Sequence, residues 1–154
     1  MNAPVMRDYW SSKYFDRFNK KYKSEKRILE LTLLKNLIKR YDEYVVIEAI
    51  DRFLTTSPES ISTICFFATK KVFDGKFADI IKSRSVLKFK RHLRFYEDDI
   101  KDKASELVEE YTDYFDGLMM HNTDIERQTE IIKELEEIEE KHAERTRRKT
   151  DFAD

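Results

Sequence analysis

The residues in this chain best suited to recognition chemistry are cations. Residues 82–96 read KSRSVLKFKRHLRFY, with six positive charges and no acid. On a helix, Arg84, Lys88 and Arg91 recur one turn apart, Phe95 continues their row, and Lys90 and Arg94 lie beside it. Val86, Phe89, Leu93 and Tyr96 make a separate apolar stripe. One face held by a core and another carrying cations a turn apart is what recognition of backbone phosphates requires. A second basic set lies near the start, where Lys13, Arg17, Lys20 and Lys21 flank an i+4 row of aromatic residues, Trp10, Tyr14, Phe18 and Tyr22. The simplest reading of that row is a core-facing stripe. Surplus rings at Tyr9, Phe15 or Tyr22 could instead stack on bases or enter a partner's groove. Lys13, Arg17, Lys20, Lys21, Arg84, Lys88, Arg91 and Arg94 are therefore the candidate nucleic-acid contacts. The competing reading of 82–96 is a solvated face that pairs with the acidic residues following it, and both stay open on sequence alone.

Catalysis has less to work with. Two glycines, Gly75 and Gly117, cannot build a Walker A loop or a dinucleotide fingerprint. His92, His121 and His142 show no metal-ligand spacing, and the single cysteine, Cys65, falls on an apolar stripe and reads as a structural thiol. Glu139 and His142 form one half of a helical di-iron pattern, which needs a second copy and two more glutamates. Carboxylates at 97–99, 109–110 and 136–140 read as solvated helix faces. No catalytic residue, metal ligand or cofactor is assigned, leaving only a site that the fold alone could assemble.

The net charge of −1 conceals a strong asymmetry. Residues 1–96 hold 21 Lys and Arg against 11 Asp and Glu, whereas residues 97–154 hold 9 against 20. A chain so divided can offer a polyanion one end while the other repels it. Apolar residues at 40% supply a real core, and two prolines with two glycines leave little material for hairpins. The expected class is all-α, a compact bundle of six or seven helices with a long acidic C-terminal helix. The expected division is a helical domain over 1–117 and a C-terminal helix over 118–154. No apolar run is long enough to span a membrane and no export signal opens the chain, so a cytoplasmic protein without membrane contact is expected.

The elements that position these residues follow from periodicity. Residues 1–6 read as a loose tail before a helix over Asp8–Lys23. Ser24 would cap a second helix to Arg40, with Ile28, Leu31, Leu34, Ile38 and Tyr41 as its stripe. The best-punctuated stretch is Tyr41–Gly75. Asp42 would cap a helix bearing Val45, Val46, Ala49, Ile50, Phe53 and Leu54. Ser57-Pro58 would open another bearing Ile61, Ile64, Cys65, Ala68 and Val72, with Gly75 as a left-handed C-cap. After a short amphipathic turn at Phe77, Ile80 and Ile81 and the basic segment, Ile100, Ala104, Leu107, Tyr111 and Phe115 (or Tyr114) stripe an acidic helix that stops at Gly117. The residues LMMHNT then lead to Asp124, the expected cap of the last helix. Its seam, Ile125, Gln128, Ile132, Leu135, Glu139 and His142, is heptad-like, with Ile131 and Ile138 flanking it. Too few apolar residues follow Ile138 to bury the helix there. It should project, pair with a partner helix or form a homodimer, with Ile132, Leu135 and Ile138 as candidate protein-binding residues.

Residues 33–54, LLKNLIKRYDEYVVIEAIDRFL, preceded by an aromatic and basic helix and followed by Ser57-Pro58 and Phe66-Phe67-Ala68, resemble the small helical phage proteins of DNA replication, the helicase loaders and replisome organisers. The resemblance covers about 50 residues of helix-packing positions. It implies a helical bundle that touches DNA and a replicative helicase and has no activity of its own. That family carries no catalytic motif to transfer, and its proline-rich hinge is not recognisable here.

Two functions of different kind follow. One is a non-enzymatic nucleic-acid-associated adaptor, its basic half on DNA and its acidic half on a protein partner, either a helicase or a host factor. The other is a protein-interaction module without nucleic-acid binding, such as an inhibitor or regulator of a host protein. Arg84, Lys88, Arg91 and Arg94 exposed and co-facial with Lys13, Arg17 and Lys20 would favour the first, and the same cations buried against 97–116 would favour the second.

Overall fold

A computed structural model describes residues 1–116 and 122–153, with side chains over 1–114 and 125–150. Every regular element among these residues is helical: nine α-helices and two 3-10 turns, without a strand. The chain is thus all-α, with more and shorter helices than periodicity predicts. It divides into two units, Met1–Arg84 and Ser85–Asp154, whereas the expected division at 117/118 falls inside the second.

The first unit begins earlier than expected. Helix α1, Ala3–Phe18, starts with Asn2 accepting from the Val5 amide (3.1 Å) and with proline in the first turn, where its missing N–H costs nothing. The expected loose tail is therefore helix, and it buries Ala3 and Met6. Asn19, at φ 54°, ends the helix in the left-handed conformation, so Lys20, Lys21 and Lys23 lie beyond it. Helix α2, Arg27–Arg40, buries Leu34 and Leu37, and also Glu30. Its expected stripe fails at Ile28, which is 83% exposed.

Helix α3, Glu43–Thr56, matches the sequence closely. Asp42 caps it through the Tyr44 and Val45 amides (2.8 and 3.1 Å), and all six stripe residues are buried. The expected helix from Ser57 to Gly75 is instead three pieces: a 3-10 turn, Glu59–Ile61, then α4, Ile64–Phe67, and α5, Lys70–Lys76. Thr63 rather than Ser57 supplies the cap, accepting from Phe66 (3.2 Å), and Gly75 lies inside α5 without a positive φ. Helical phase gives the reason. In one unbroken helix Phe73 would point about 180° away from Ile64. The break after Ala68 resets the phase, so Ile64, Phe67, Phe73 and Phe77 all face inward. Helix α6, Ala78–Lys82, adds Ile80.

The core of this unit is aromatic. Trp10 lies 5.1 Å from Phe67 and 6.0 Å from Phe53, and Phe67, Phe73 and Phe77 meet pairwise at 5.1–5.6 Å. Glu30 survives with no exposure because Arg7 Nε donates to it (3.2 Å) and Tyr22 donates its hydroxyl, which in turn accepts from the Ile64 amide (3.0 Å). A buried carboxylate so satisfied ties α1, α2 and α4 together.

The second unit contains most of α7, Arg84–His92, a 3-10 turn, Leu93–Phe95, and two long helices, α8, Asp98–Asp116, and α9, Asn122–Ala153. Val86, Phe89, Tyr96, Ile100, Ala104, Leu107, Val108, Tyr111, Ile131 and Leu135 form its core. The α8 stripe is buried as expected through Tyr111. The expected roles of the Phe115 side chain, Gly117, the LMMHNT residues including His121, and the Asp124 cap lie outside the described residues. Helix α9 already includes Asn122, upstream of Asp124.

Candidate functional site

Helix α7 is two-faced because its sequence is. Val86 and Phe89 are buried in the unit's core, and Leu87 is buried on the flank beside Arg91, while Arg84, Lys88 and, past the helix, Arg94 are exposed. Ideal helix geometry puts Arg84, Lys88 and Arg91 within about 60° of one another. Arg91, unlike the other two, is half-buried. At its C-terminal end α7 is pinned: His92 Nδ1 lies 2.8 Å from Glu139 Oε1, and the Tyr96 hydroxyl donates to the other oxygen of the same carboxylate. Burial and that hydrogen bond push the Tyr96 hydroxyl pKa up, which keeps it a neutral donor. His142 meets the same tyrosine ring edge-on at 5.1 Å. The Glu139 and His142 spacing, suggestive of metal ligation on sequence, is here an anchor for the helix end. Its sequence signal was Tyr96 on one apolar stripe and Glu139 with His142 on another that could face it, while His92 lies on no stripe of its segment. Among the described residues no cluster of His, Cys, Asp or Glu has the form of a metal site.

The acidic segment after α7 takes its counter-charges from α9. Arg127 forks onto Glu110 (2.8 Å to each oxygen), Arg145 forks onto Asp99 (2.9 Å twice) and reaches Glu97 (2.9 Å), and Lys149 closes on Glu97 (2.9 Å). The Lys149 ammonium holds the Glu97 carboxyl below its usual value, and the Arg145 and Arg127 guanidiniums do the same for Asp99 and Glu110. Arg84, Lys88 and Arg94 form no ion pair with any described residue. Within residues 82–96, His92 does pair with Glu139 of the acidic half, so the internal pairing that sequence left open is met in part. The carboxylates nearest α7 are on α9, where Glu136, Glu139 and Glu140 share a groove of about 440 Å³ with Lys88, Phe89 and Ile132.

The other basic set is scattered. Lys13 is half-buried over the Tyr9 ring (5.5 Å), and Arg17 lies over its neighbour Phe18 (5.5 Å). Both line a depression of about 290 Å³ that also holds Asp16 and Asp51. Lys20 is paired with Glu59 (3.0 Å), and Lys21 is exposed beyond the helix end. The left-handed residue at Asn19 is why the four do not share one helical face.

No known protein family matches this chain. Curated proteins and solved structures give no match either. The likeness of residues 33–68 to phage replication proteins therefore stands on those residues alone.

The candidate protein-binding seam is placed differently from expectation. Leu135 is 0% exposed inside the core, and Ile132 and Ile138 are half-buried against the same cluster. The seam is consumed by α8 because the intramolecular partner is as apolar as any foreign helix and costs no association entropy. Beyond Ile138, Arg145 and Lys149 keep α9 tied to the start of α8. Cys65 is half-buried, and no described helix is long and apolar enough to cross a membrane.

Proposed function

We propose that this chain is a nucleic-acid-associated adaptor without chemistry of its own, binding backbone phosphates on the exposed side of α7 and a protein partner elsewhere. The observation that carries the reading is the freedom of Arg84, Lys88 and Arg94. They remain exposed and without ion pairs among the described residues, although the acidic helix follows directly. Lysines and arginines left with solvent counterions can exchange those ions for phosphates, and the released ions drive binding. Arg91, half-buried, is a weaker contact, and Lys13, Arg17 and Lys21 belong to the first unit. In this reading the protein works in the cytoplasm beside DNA. A helicase-loading or related accessory role in phage replication is the form that the sequence resemblance favours.

A second reading, the protein-interaction module, is favoured by Ile28 and Leu29, exposed together at the start of α2. One experiment separates the two. Anisotropy of labelled single-stranded and duplex DNA should report binding at 50 mM salt that falls at least tenfold by 200 mM. Arg84→Ala with Arg94→Ala should flatten the log–log salt slope by roughly 2. Absence of binding at 50 mM, or an unchanged slope, removes α7 from the function and leaves the interaction module.

A further inference from the structure

We infer that the α7 face takes a single strand rather than a duplex, with Phe95 as the platform on which a base stacks. The inference rests on the phosphate-binding reading of α7 and adds the class of its ligand. It begins with the backbone. After His92 the helix tightens into the 3-10 turn Leu93–Phe95, and Tyr96 plunges into the core while Leu93 packs against it. With residues 93 and 96 facing inward, the turn must present Arg94 and Phe95 outward. Phe95 is consequently 55% exposed, in a chain that fully buries Phe53, Phe67, Phe73 and Phe77.

A single exposed apolar side chain is ordinary on a protein surface. The setting of this one is not ordinary. The Arg94 guanidinium lies over the Phe95 ring, 4.6 Å from its centre, and the cations of α7 lead up to it one helical turn at a time. The acid that follows in sequence, Glu97, is already matched by Arg145 and Lys149. Cations beside a half-exposed aromatic ring are the two components of single-strand binding: charges that track the backbone, and a π-surface that any base can use. A duplex could use only the charges, because its bases are already stacked on each other. The carboxylates Glu136 and Glu140, which border Lys88 on the α9 side, would repel a strand lying there. A strand on this face should therefore stay clear of that groove and follow the exposed residues Arg84, Lys88 and Arg94 to Phe95.

The test uses the full chain with labelled oligo-dT and a mixed-sequence duplex titrated at about 50 and 200 mM salt, comparing the parent with Phe95→Ala, Phe95→Trp and the pair Arg84→Ala, Lys88→Ala. The expected results are a preference for the single strand and a loss of about tenfold for Phe95→Ala on the single strand only, one stacked base's worth. Phe95→Trp should keep the affinity, and its emission should be quenched by the oligonucleotide, with the buried Trp10 of the parent as the blank. The side chain is exposed, so unchanged thermal melting serves as the folding check. If Phe95→Ala leaves single-strand binding unchanged, or weakens both ligands alike, while Arg84→Ala, Lys88→Ala still flattens the salt slope, the stacking role falls and phosphate binding by α7 stands. If that double variant leaves the slope unaltered, phosphate binding by α7 falls and takes this inference with it.

Discussion

The two units solve the same problem, holding helices together, with different materials. The first uses rings: Trp10, Phe53, Phe67, Phe73 and Phe77 interlock with no exposure worth the name, and its one buried carboxylate, Glu30, is fully served by Arg7 and Tyr22. The second uses a mainly aliphatic seam along α8 and α9, with Phe89, Tyr96 and Tyr111 as its rings, edged by ion pairs at Glu110–Arg127, Asp99–Arg145 and Glu97–Lys149. The contrast bears on function. Because Glu97, Asp99 and Glu110 take their cations from α9, these carboxylates do not hold Arg84, Lys88 and Arg94, which form no ion pair with any described residue.

The comparison breaks most easily at Trp10. Trp10→Ala should cost about 3–5 kcal/mol, because it removes a wholly buried indole from the centre of the ring cluster. Denaturant unfolding would read it, and a loss below 1 kcal/mol would show that the rings merely line the core. Leu135→Ala should cost slightly less, about 2–5 kcal/mol, by opening a cavity between α8 and α9. A near-neutral result there would mean that the seam can collapse, or that the ion pairs rather than Leu135 hold the helices.

The smallest expected effect concerns the ion pairs themselves, which lie at the surface. Glu97, Asp99 and Glu110 have folded pKa values below their ordinary ones of 4.5 and 3.8. Their contribution is therefore present above those ordinary values and disappears as pH falls through the lowered ones. Melting of the parent against Arg127→Ala with Arg145→Ala should show a small advantage for the parent at pH 6 that shrinks below pH 3.8. An advantage that persists undiminished in acid would show that the arginines act through their packing and not their charge.

Much of this arrangement was legible in the residues. Asp42 and the α3 stripe, the α8 stripe and the split of α7 into Val86 and Phe89 against Arg84 and Lys88 are all local periodicities, and a helix fixes them within a few turns. The start of α1 was legible but missed: Asn2 followed by Pro4 is a cap signal, obscured by its place at the extreme terminus. Ile28 and Glu30 depart from the expected helical pattern of burial for one reason. Ile28 fitted its helix's period and is exposed, whereas Glu30 broke the expected pattern and is buried. What decided between them was the position of Arg7 and Tyr22 on other segments.

Sequence by itself determined that the chain is helical, where most apolar stripes run and which cations could form a row. Tertiary structure alone decided the break after Ala68, since the phase of α5 depends on where Phe53 and Phe67 meet Phe73 and Phe77. It alone decided that Leu135 is spent on α8 and that Glu97, Asp99 and Glu110 find their cations on α9. Period and composition are properties of neighbours in sequence. Which apolar face is covered, and which charge is answered, depends on residues brought close only by folding.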